Sequence, residues 1–341
     1  MKKSVSIRSV LLGGVMLLGG VAGAMAAEVN IYTTREPGLI KPLLEAFTAS
    51  TGVKVNTVFL KDGLAERVAS EGASSPADIL MTVDAGRLAD LVQKGLTQPV
   101  KSAVLDAAVP AALRDPDNNW FAFSARGRVL YAAKDLDLKA IRYEDLADPK
   151  WKGKICIRSG QHPYNTALFA AYMAHHGPEA TKTWLTGLRN NLARKAGGGD
   201  REVAKDILGG VCEIGIGNSY YVGLMRSGKG GPDQKTWGEA IKVILPTFEN
   251  GGTQVNVSGA ALARRAPNKE AAIRLMEYLV SDDAQKIYAE ANFEYPVKAG
   301  AKLDPIVATF GELKIDPIPL TEVVKRRKQA SQMAEEIGFD K

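Results

Sequence analysis

The alternation of strand-like and helix-like segments limits the possible folds of this chain more than any other feature. The chain opens with an apolar strand at 29–32, an amphipathic helix from Leu39 to Phe47 and a second strand at 53–56. Strand, helix and strand in this order are typical of a parallel α/β sheet. A second series of alternating segments occupies 154–216. The pattern predicts an α/β fold made of two α/β units.

The length of the chain also favours two domains, because 341 residues exceed the usual size of one compact core. An apolar-rich segment at 121–131 can carry the chain to the second unit, and a strand-like segment at 253–262 can bring it back. We therefore expect two lobes, joined by two crossing hinge strands, with a cleft between them. The predicted boundaries are 28–125 plus 252–300 for the N-terminal lobe and 126–251 plus 301–341 for the C-terminal lobe.

The first 27 residues have the pattern of a secretory signal peptide. A basic start is followed by an apolar stretch from Val10 to Val21 and then by small residues. Cleavage is expected near Ala26 or Ala27. The remaining sequence contains no apolar run long enough to cross a bilayer, so we expect an exported, soluble protein.

Charge and motifs argue against two classes of function. Removing the three positive charges of the leader lowers the formal net charge from +6 to +3, which gives little support to nucleic-acid binding. The basic run 325–328 lies in a helical pattern and is expected to form a solvated face. The His-Glu-x-x-His, Gly-x-Ser-x-Gly and Walker motifs are missing, which argues against an enzyme.

Three tyrosines suggest a site for a hard metal ion. Tyr220 and Tyr221 follow an apolar strand, and adjacent side chains of a strand point to opposite faces. The two phenols can converge only if the backbone turns into a helix or loop, which Gly217 and Asn218 favour. Tyr164 follows another strand-to-turn signal, and three phenolates would balance the charge of one Fe³⁺. An ordinary role in the core or cleft lining is the alternative.

The two cysteines are candidates for a disulfide. Cys156 and Cys212 each lie in a short β-like segment, and an isolated pair in an oxidising compartment is often bonded. Two buried free thiols remain the alternative, because the geometry of the fold decides whether a bridge forms. Either role is structural.

Five separated stretches resemble the periplasmic ferric-iron-binding proteins of ABC importers. They are VNIYTTREP (29–37), SPADILMTVD (75–84), DPKWKGK (148–154), GNSYY (217–221) and EYPV (294–297). The resemblance implies a type II periplasmic binding fold in which Fe³⁺ is held between two lobes that close about a hinge. It also implies a monomer that delivers ferric iron, or a small ferric chelate, to a permease of the inner membrane.

The same resemblance implies a ligand set. The tyrosines that bind iron in the family correspond to Tyr164, Tyr220 and Tyr221. Many relatives add a histidine in the first strand-to-helix loop, where this chain has Arg35-Glu36-Pro37. The chain is therefore similar to the subgroup in which three tyrosines bind iron together with an anion such as carbonate. Whether Glu36 contributes a ligand stays open, and Asp84 is better explained as a helix N-cap.

Two arginines are candidates for holding that anion. Arg126 matches the anion-binding arginine of the family, and Arg35 offers a second guanidinium, a group that suits a planar oxyanion. Ser159 and Gly160 could add donors at the start of the helix that carries Tyr164. The alternative function is a bilobal ABC receptor for a metal-free oxyanion or a polyamine.

Overall fold

The computed structural model describes residues 27–341, so the predicted signal peptide lies outside the described residues apart from Ala27. The strands are β1 (Glu28–Thr33), β2 (Lys54–Phe59), β3 (Ile79–Thr82), β4 (Thr97–Gln98), β5 (Trp120–Ala133), β6 (Ile155–Cys156), β7 (Ile214–Asn218), β8 (Ile241–Ile244), β9 (Val255–Ala263) and β10 (Tyr295–Pro296). The helices are α1 (Pro37–Thr51), α2 (Leu64–Glu71), α3 (Ala85–Gln93), α4 (Ala103–Ala108), α5 (Pro163–Asn190), α6 (Asp200–Leu208), α7 (Ser219–Arg226), α8 (Pro232–Glu239), α9 (Lys269–Leu279), α10 (Asp282–Asn292), α11 (Pro305–Ala308) and α12 (Leu320–Glu336). None of these helices combines the length and apolar character that a membrane span requires.

The strands form a mixed sheet in the order β2-β1-β3-β9-β5-β7-β6. Strand β1 is parallel to β2 and β3, as the opening strand-helix-strand pattern predicts. Strand β9 then runs antiparallel to both β3 and β5. The α/β class predicted from the sequence is therefore confirmed.

Strand β5 belongs to both halves of the sheet. Its residues Ser124 and Ala125 pair with β10, whereas 128–132 pair with β7. Every residue of β5 except Ala133 is buried, and the strand is apolar on both faces apart from Ser124, Arg126 and Arg128. A single buried strand thus carries the chain from one half of the molecule to the other.

The molecule has two main hydrophobic cores, and the larger one extends into both halves. The larger core includes Ile31, Leu88, Trp120 and Leu275 and packs helices α3 and α9 against the first part of the sheet. The second core joins β6 and β7 to α5 through apolar side chains of all three elements. These include Ile155, Ile214, Ile216, Leu168, Phe169 and Trp184. Apolar burial of this kind is the main favourable contribution to folding.

Helix α5 is broken at Gly177, which has φ 76° and ψ 171°. A positive φ is readily adopted by glycine, and Pro178 then begins the following helical segment. Gly177 therefore divides the long helix into two helical segments.

Cys156 and Cys212 form a disulfide, with their Cα atoms 5.9 Å apart. Cys156 lies on β6, and Cys212 precedes β7, which is the parallel neighbour of β6. The predicted bridge is confirmed because the two β-like segments are adjacent in the sheet. It links positions 56 residues apart and so limits the unfolded chain.

Candidate metal centre

The structure brings the three predicted tyrosines together. Tyr164 lies in the first turn of α5, and Tyr220 and Tyr221 lie in the first turn of α7. The hydroxyl oxygens of Tyr164 and Tyr220 are 3.4 Å apart, and the ring centroids of Tyr220 and Tyr221 are 4.1 Å apart. Strand β7 ends at Asn218, so the tyrosine pair stands on a helix, where neighbouring side chains can face one cavity.

These phenols line a cleft of about 420 Å³. The other side of the cleft comes from residues of the predicted N-terminal lobe. They are Thr34, Arg35, Glu36, Leu39, Val83, Ala291, Asn292, Phe293 and Glu294, and Arg126, at the start of the predicted C-terminal lobe on β5, lies beside them. Oxygen donors therefore face guanidinium groups across a space that is large enough for an ion with a small accompanying anion.

Burial in the cleft raises the pKa of Tyr220 well above its ordinary value of about 10. The neighbouring phenols Tyr164 and Tyr221 raise it further, and Arg126 acts in the opposite direction. The pKa of Tyr221 is also raised, mainly by burial. Without a cation in the cleft, both phenols are therefore protonated at neutral pH.

Both predicted anion-binding arginines line the cleft, but each already has protein partners. Arg35 donates from Nη1 and Nη2 to Oε1 of Glu294, at 3.0 Å in each case. Arg126 donates to Oγ of Ser258 at 3.1 Å and to the carbonyl of Val83. Glu294 was not predicted as a site residue, although its EYPV motif carried part of the resemblance. No local pattern indicates that this carboxylate meets two arginines.

The other four candidate positions, Asp84, Glu36, Ser159 and Gly160, differ in their contacts. Asp84 caps α3 by accepting from the backbone N–H groups of Gly86 and Arg87, in agreement with the sequence interpretation. Glu36 lines the cleft at the start of α1 and makes no side-chain capping bond. The suggested donors Ser159 and Gly160 are engaged by the carboxylate of Asp340.

His162 caps the helix that carries Tyr164. Its Nδ1 accepts from the backbone N–H of Tyr164 at 3.2 Å. Burial and then the nearby Arg158 lower the pKa of His162 to about 4, so the ring is neutral at physiological pH. A neutral ring keeps the lone pair that this capping bond requires.

A buried polar network supports the two tyrosine-bearing helices. Arg128 on β5 donates to Asp200 at 2.6 Å, to Asn165 at 2.6 Å and to Asn218 at 3.1 Å. Asn165 follows Tyr164 in α5, and Asn218 directly precedes α7. Asp200 also accepts from the backbone N–H of Asn218 at 2.9 Å. This network fixes the starts of α5 and α7 relative to each other.

The donor atoms of the phenol cluster are tyrosine oxygens rather than groups of His, Cys, Asp or Glu side chains. Within residues 27–341, no group of three or more His, Cys, Asp or Glu side chains is arranged to hold a metal ion. Phenolate oxygens are hard donors, which suit a small, highly charged cation. The tyrosine cleft is therefore the candidate metal centre of the described chain.

Comparison with known proteins identifies the family. The bacterial extracellular solute-binding proteins match residues 74–309. Iron uptake protein A1 of Synechocystis sp. is 41% identical over 315 residues, 92% of this chain and 87% of that protein. A solved Bordetella ferric binding protein is 62% identical, with a TM-score of 0.90 over 92% of this chain and 100% of the other. A Trichodesmium protein in complex with iron and citrate ligands is 40% identical, with a TM-score of 0.86 over 92% and 100% of the chains.

These similarities span both halves of the described chain. The structural likeness confirms the predicted bilobal type II periplasmic binding fold, and the predicted resemblance to ferric-iron-binding proteins is confirmed as well. The matched relatives are named for binding and uptake rather than for catalysis. This chain belongs to the family of bacterial extracellular solute-binding proteins.

Proposed function

We propose that this protein captures ferric iron in the periplasm and delivers it to an ABC importer. The observation that carries the proposal is the meeting of Tyr164, Tyr220 and Tyr221 in one cleft, at the starts of two helices. The ligands are the three tyrosinates, and an anion such as carbonate accompanies the iron at Arg126 and Arg35. The relatives named for ferric binding and iron uptake support the choice of cargo.

Charge balance favours a trivalent ion over other cargoes. Three tyrosinates neutralise one Fe³⁺, and the metal replaces the protons that burial keeps on the phenols. A polyamine would require carboxylates and aromatic faces around its ammonium groups. The charged side chains facing the phenols are instead two arginines, the carboxylate of Glu294 that Arg35 already holds, and the exposed Glu36 at the start of α1.

The position of the cleft supports a hinge mechanism. Its phenols come from the predicted C-terminal lobe, Arg35 and Glu294 come from the predicted N-terminal lobe, and Arg126 lies on β5 at the boundary between them, so movement about β5 and β9 would open or close the cleft. We propose the lobe boundaries 28–125 plus 252–300 and 126–251 plus 301–341. The permease would then recognise the closed, iron-loaded monomer.

Substitution of each tyrosine tests the proposed ligands. Ferric nitrilotriacetate is titrated into the protein with bicarbonate present, and the phenolate-to-iron absorption is followed in the visible range. Tyr164→Phe, Tyr220→Phe and Tyr221→Phe should each weaken iron binding by at least about 100-fold, because each removes a charged ligand. Tyr278→Phe is the matched control, since Tyr278 packs against Phe47 and does not line the cleft.

The titrations of the three cleft variants and of the control decide whether the tyrosines are iron ligands. Loss of the visible band in the cleft variants, with a normal band in Tyr278→Phe, supports tyrosinate ligation. Unchanged titrations for all three cleft variants would remove it. A wild-type protein that stays colourless with ferric iron would contradict the proposed function as a whole.

A further inference from the structure

Glu294 lies in the N-terminal wall of the cleft with an unusually complete set of donors. The residue is 3% exposed, and its carboxylate receives both Nη groups of Arg35. Ser124 donates to the other carboxylate oxygen, and Ser258 approaches the same oxygen at 3.4 Å. Arg126 is 3.9 Å away through Nη1. The carboxylate thus occupies the centre of the basic wall.

The ionised state of Glu294 follows from these contacts. Burial opposes ionisation, but Arg35, Arg126 and the hydrogen bond from Ser124 together hold the pKa of Glu294 below its ordinary value. The buried charges of this wall are the two guanidinium groups and the carboxylate of Glu294, which sum to a single formal positive charge, whereas Glu36 lines the cleft as an exposed residue. Three tyrosinates and Fe³⁺ would add no net charge to the cleft, so this wall would determine the charge that remains for an anion.

We propose that Glu294 is an internal counter-ion that selects small anions of low charge, of the carbonate class, over polycarboxylates. This inference rests on the proposed ferric-binding function and concerns the anion at that same site. An external anion competes with Glu294 for the same guanidinium groups, and each further negative charge is repelled by its carboxylate. Charge rather than size selects the anion in this proposal, since a cleft of about 420 Å³ has room for an anion larger than carbonate.

The magnitude of the effect follows from Coulomb's law. At a separation of about 5 Å and an effective dielectric constant of about 20, one unit charge changes the affinity for another by more than tenfold. Removing the charge of Glu294 should therefore favour citrate, which carries more negative charge than bicarbonate. The ratio of the two anion affinities should change, and not only the strength of iron binding.

Glu294→Gln tests the inference while keeping the shape of the side chain. Iron-loaded protein is formed with bicarbonate or with citrate as the only added anion, and the half-saturating anion concentration is read from the visible band. We expect the preference for citrate over bicarbonate to rise at least about tenfold in this variant. A folded variant with an unchanged ratio would overturn the inference, because a purely structural role would affect both anions alike.

A double variant that restores the charge of the wall separates an effect of charge on the choice of anion from an effect on stability. Combining Glu294→Gln with Arg35→Gln returns the wall to one positive charge, and the anion ratio should return towards that of the wild type. Arg35→Gln alone leaves no net charge on the wall and should reduce the citrate preference below the wild-type value. If Glu294→Gln does not fold, an Arg35→Gln variant that binds both anions in the wild-type ratio overturns the inference.

The two proposals can fail separately. Failure of wild-type protein to develop the phenolate-to-iron band with either anion would contradict the ferric-binding function itself. A normal band in the wild type, together with an anion ratio that does not follow the charge of the wall, would contradict only the role of Glu294.

Discussion

Tyr220 and Glu294 are polar residues of this cleft whose burial is energetically costly. Tyr220 retains its proton because its phenolate would be desolvated beside two other phenols. Glu294, by contrast, remains ionised because Arg35 lies against it. The cleft therefore combines a neutral, proton-bearing side with a charged side. In the proposed function, a trivalent cation would displace protons from the first side, and the accompanying anion would meet the charges of the second.

Iron binding should weaken as the pH falls, because each tyrosinate ligand must lose a proton. Burial raises the pKa values of Tyr220 and Tyr221 above their ordinary value, so the apparent affinity should fall about tenfold per pH unit for each proton released. We expect up to three protons per iron, measured by pH-stat titration with a ferric chelate. A proton count that is unchanged in Tyr220→Phe would argue against ionisation of this phenol.

The folding stability of the iron-free protein should instead fall at high pH. A raised folded-state pKa means that the contribution of Tyr220 to stability is fully present below the ordinary value of about 10 and is lost at higher pH. Urea unfolding between pH 8 and pH 11 should therefore show a smaller high-pH loss for Tyr220→Phe than for the wild type. Equal losses in the two proteins would contradict this sign.

At the scale of elements, the starts of α5 and α7 determine where the three phenols lie. Both tyrosine-bearing turns are connected to β5 through Arg128, by way of Asn165 and Asn218. Asp200 at the start of α6 provides the counter-charge and is 1% exposed. Three helix starts thus meet one arginine, and a small shift of any of them would separate the phenols.

Asp200→Asn should destabilise the fold by about 3–5 kcal/mol, because it leaves Arg128 buried without its counter-charge. Iron binding should weaken as well, since the helix starts lose their common anchor. Urea unfolding and ferric titration measure the two effects. Glu249→Gln is the control, because its exposed ion pair with Arg142 should contribute at most about 1 kcal/mol. Equal unfolding energies for the two variants would contradict the role of the network.

At the scale of the whole molecule, one ion pair joins the two predicted lobes. Arg327 on α12 donates to Asp84 at 2.7 Å and to the carbonyl of Pro163, next to Tyr164, at 3.1 Å. A Cβ atom at position 86 would clash with this guanidinium, so Gly86 permits the close approach. The expected solvated face at 325–328 is therefore interrupted by Arg327, whose side chain is only 18% exposed.

Arg327→Gln should favour a more open arrangement of the lobes and weaken iron binding about tenfold, the effect of losing a charged hydrogen bond of about 1.4 kcal/mol. Small-angle X-ray scattering of the iron-free protein should give a larger radius of gyration. Arg326→Gln is the matched control, because Arg326 pairs with Glu322 on its own helix. If both variants scatter and bind iron like the wild type, the ion pair does not restrain the lobes.

The sequence by itself determined the α/β alternation, the places where strands give way to helices and the residue types that suit a hard metal. These features are local: side-chain periodicity and turn residues act over a few positions, so the first turns containing Tyr164 and Tyr220 could be anticipated. The disulfide required one further condition, the adjacency of β6 and β7, which the fold supplied.

Only the tertiary structure decided which distant side chains meet. Glu294 reaches Arg35 across 259 positions, Asp84 reaches Arg327 across 243, and Arg128 reaches Asp200 across 72. No periodic pattern records such pairs, because they depend on how helices and strands pack rather than on neighbours in the chain. The same packing engages Ser159 and Gly160 with Asp340 and leaves the phenols facing the cleft. Charge placement around the site is therefore a property of the fold.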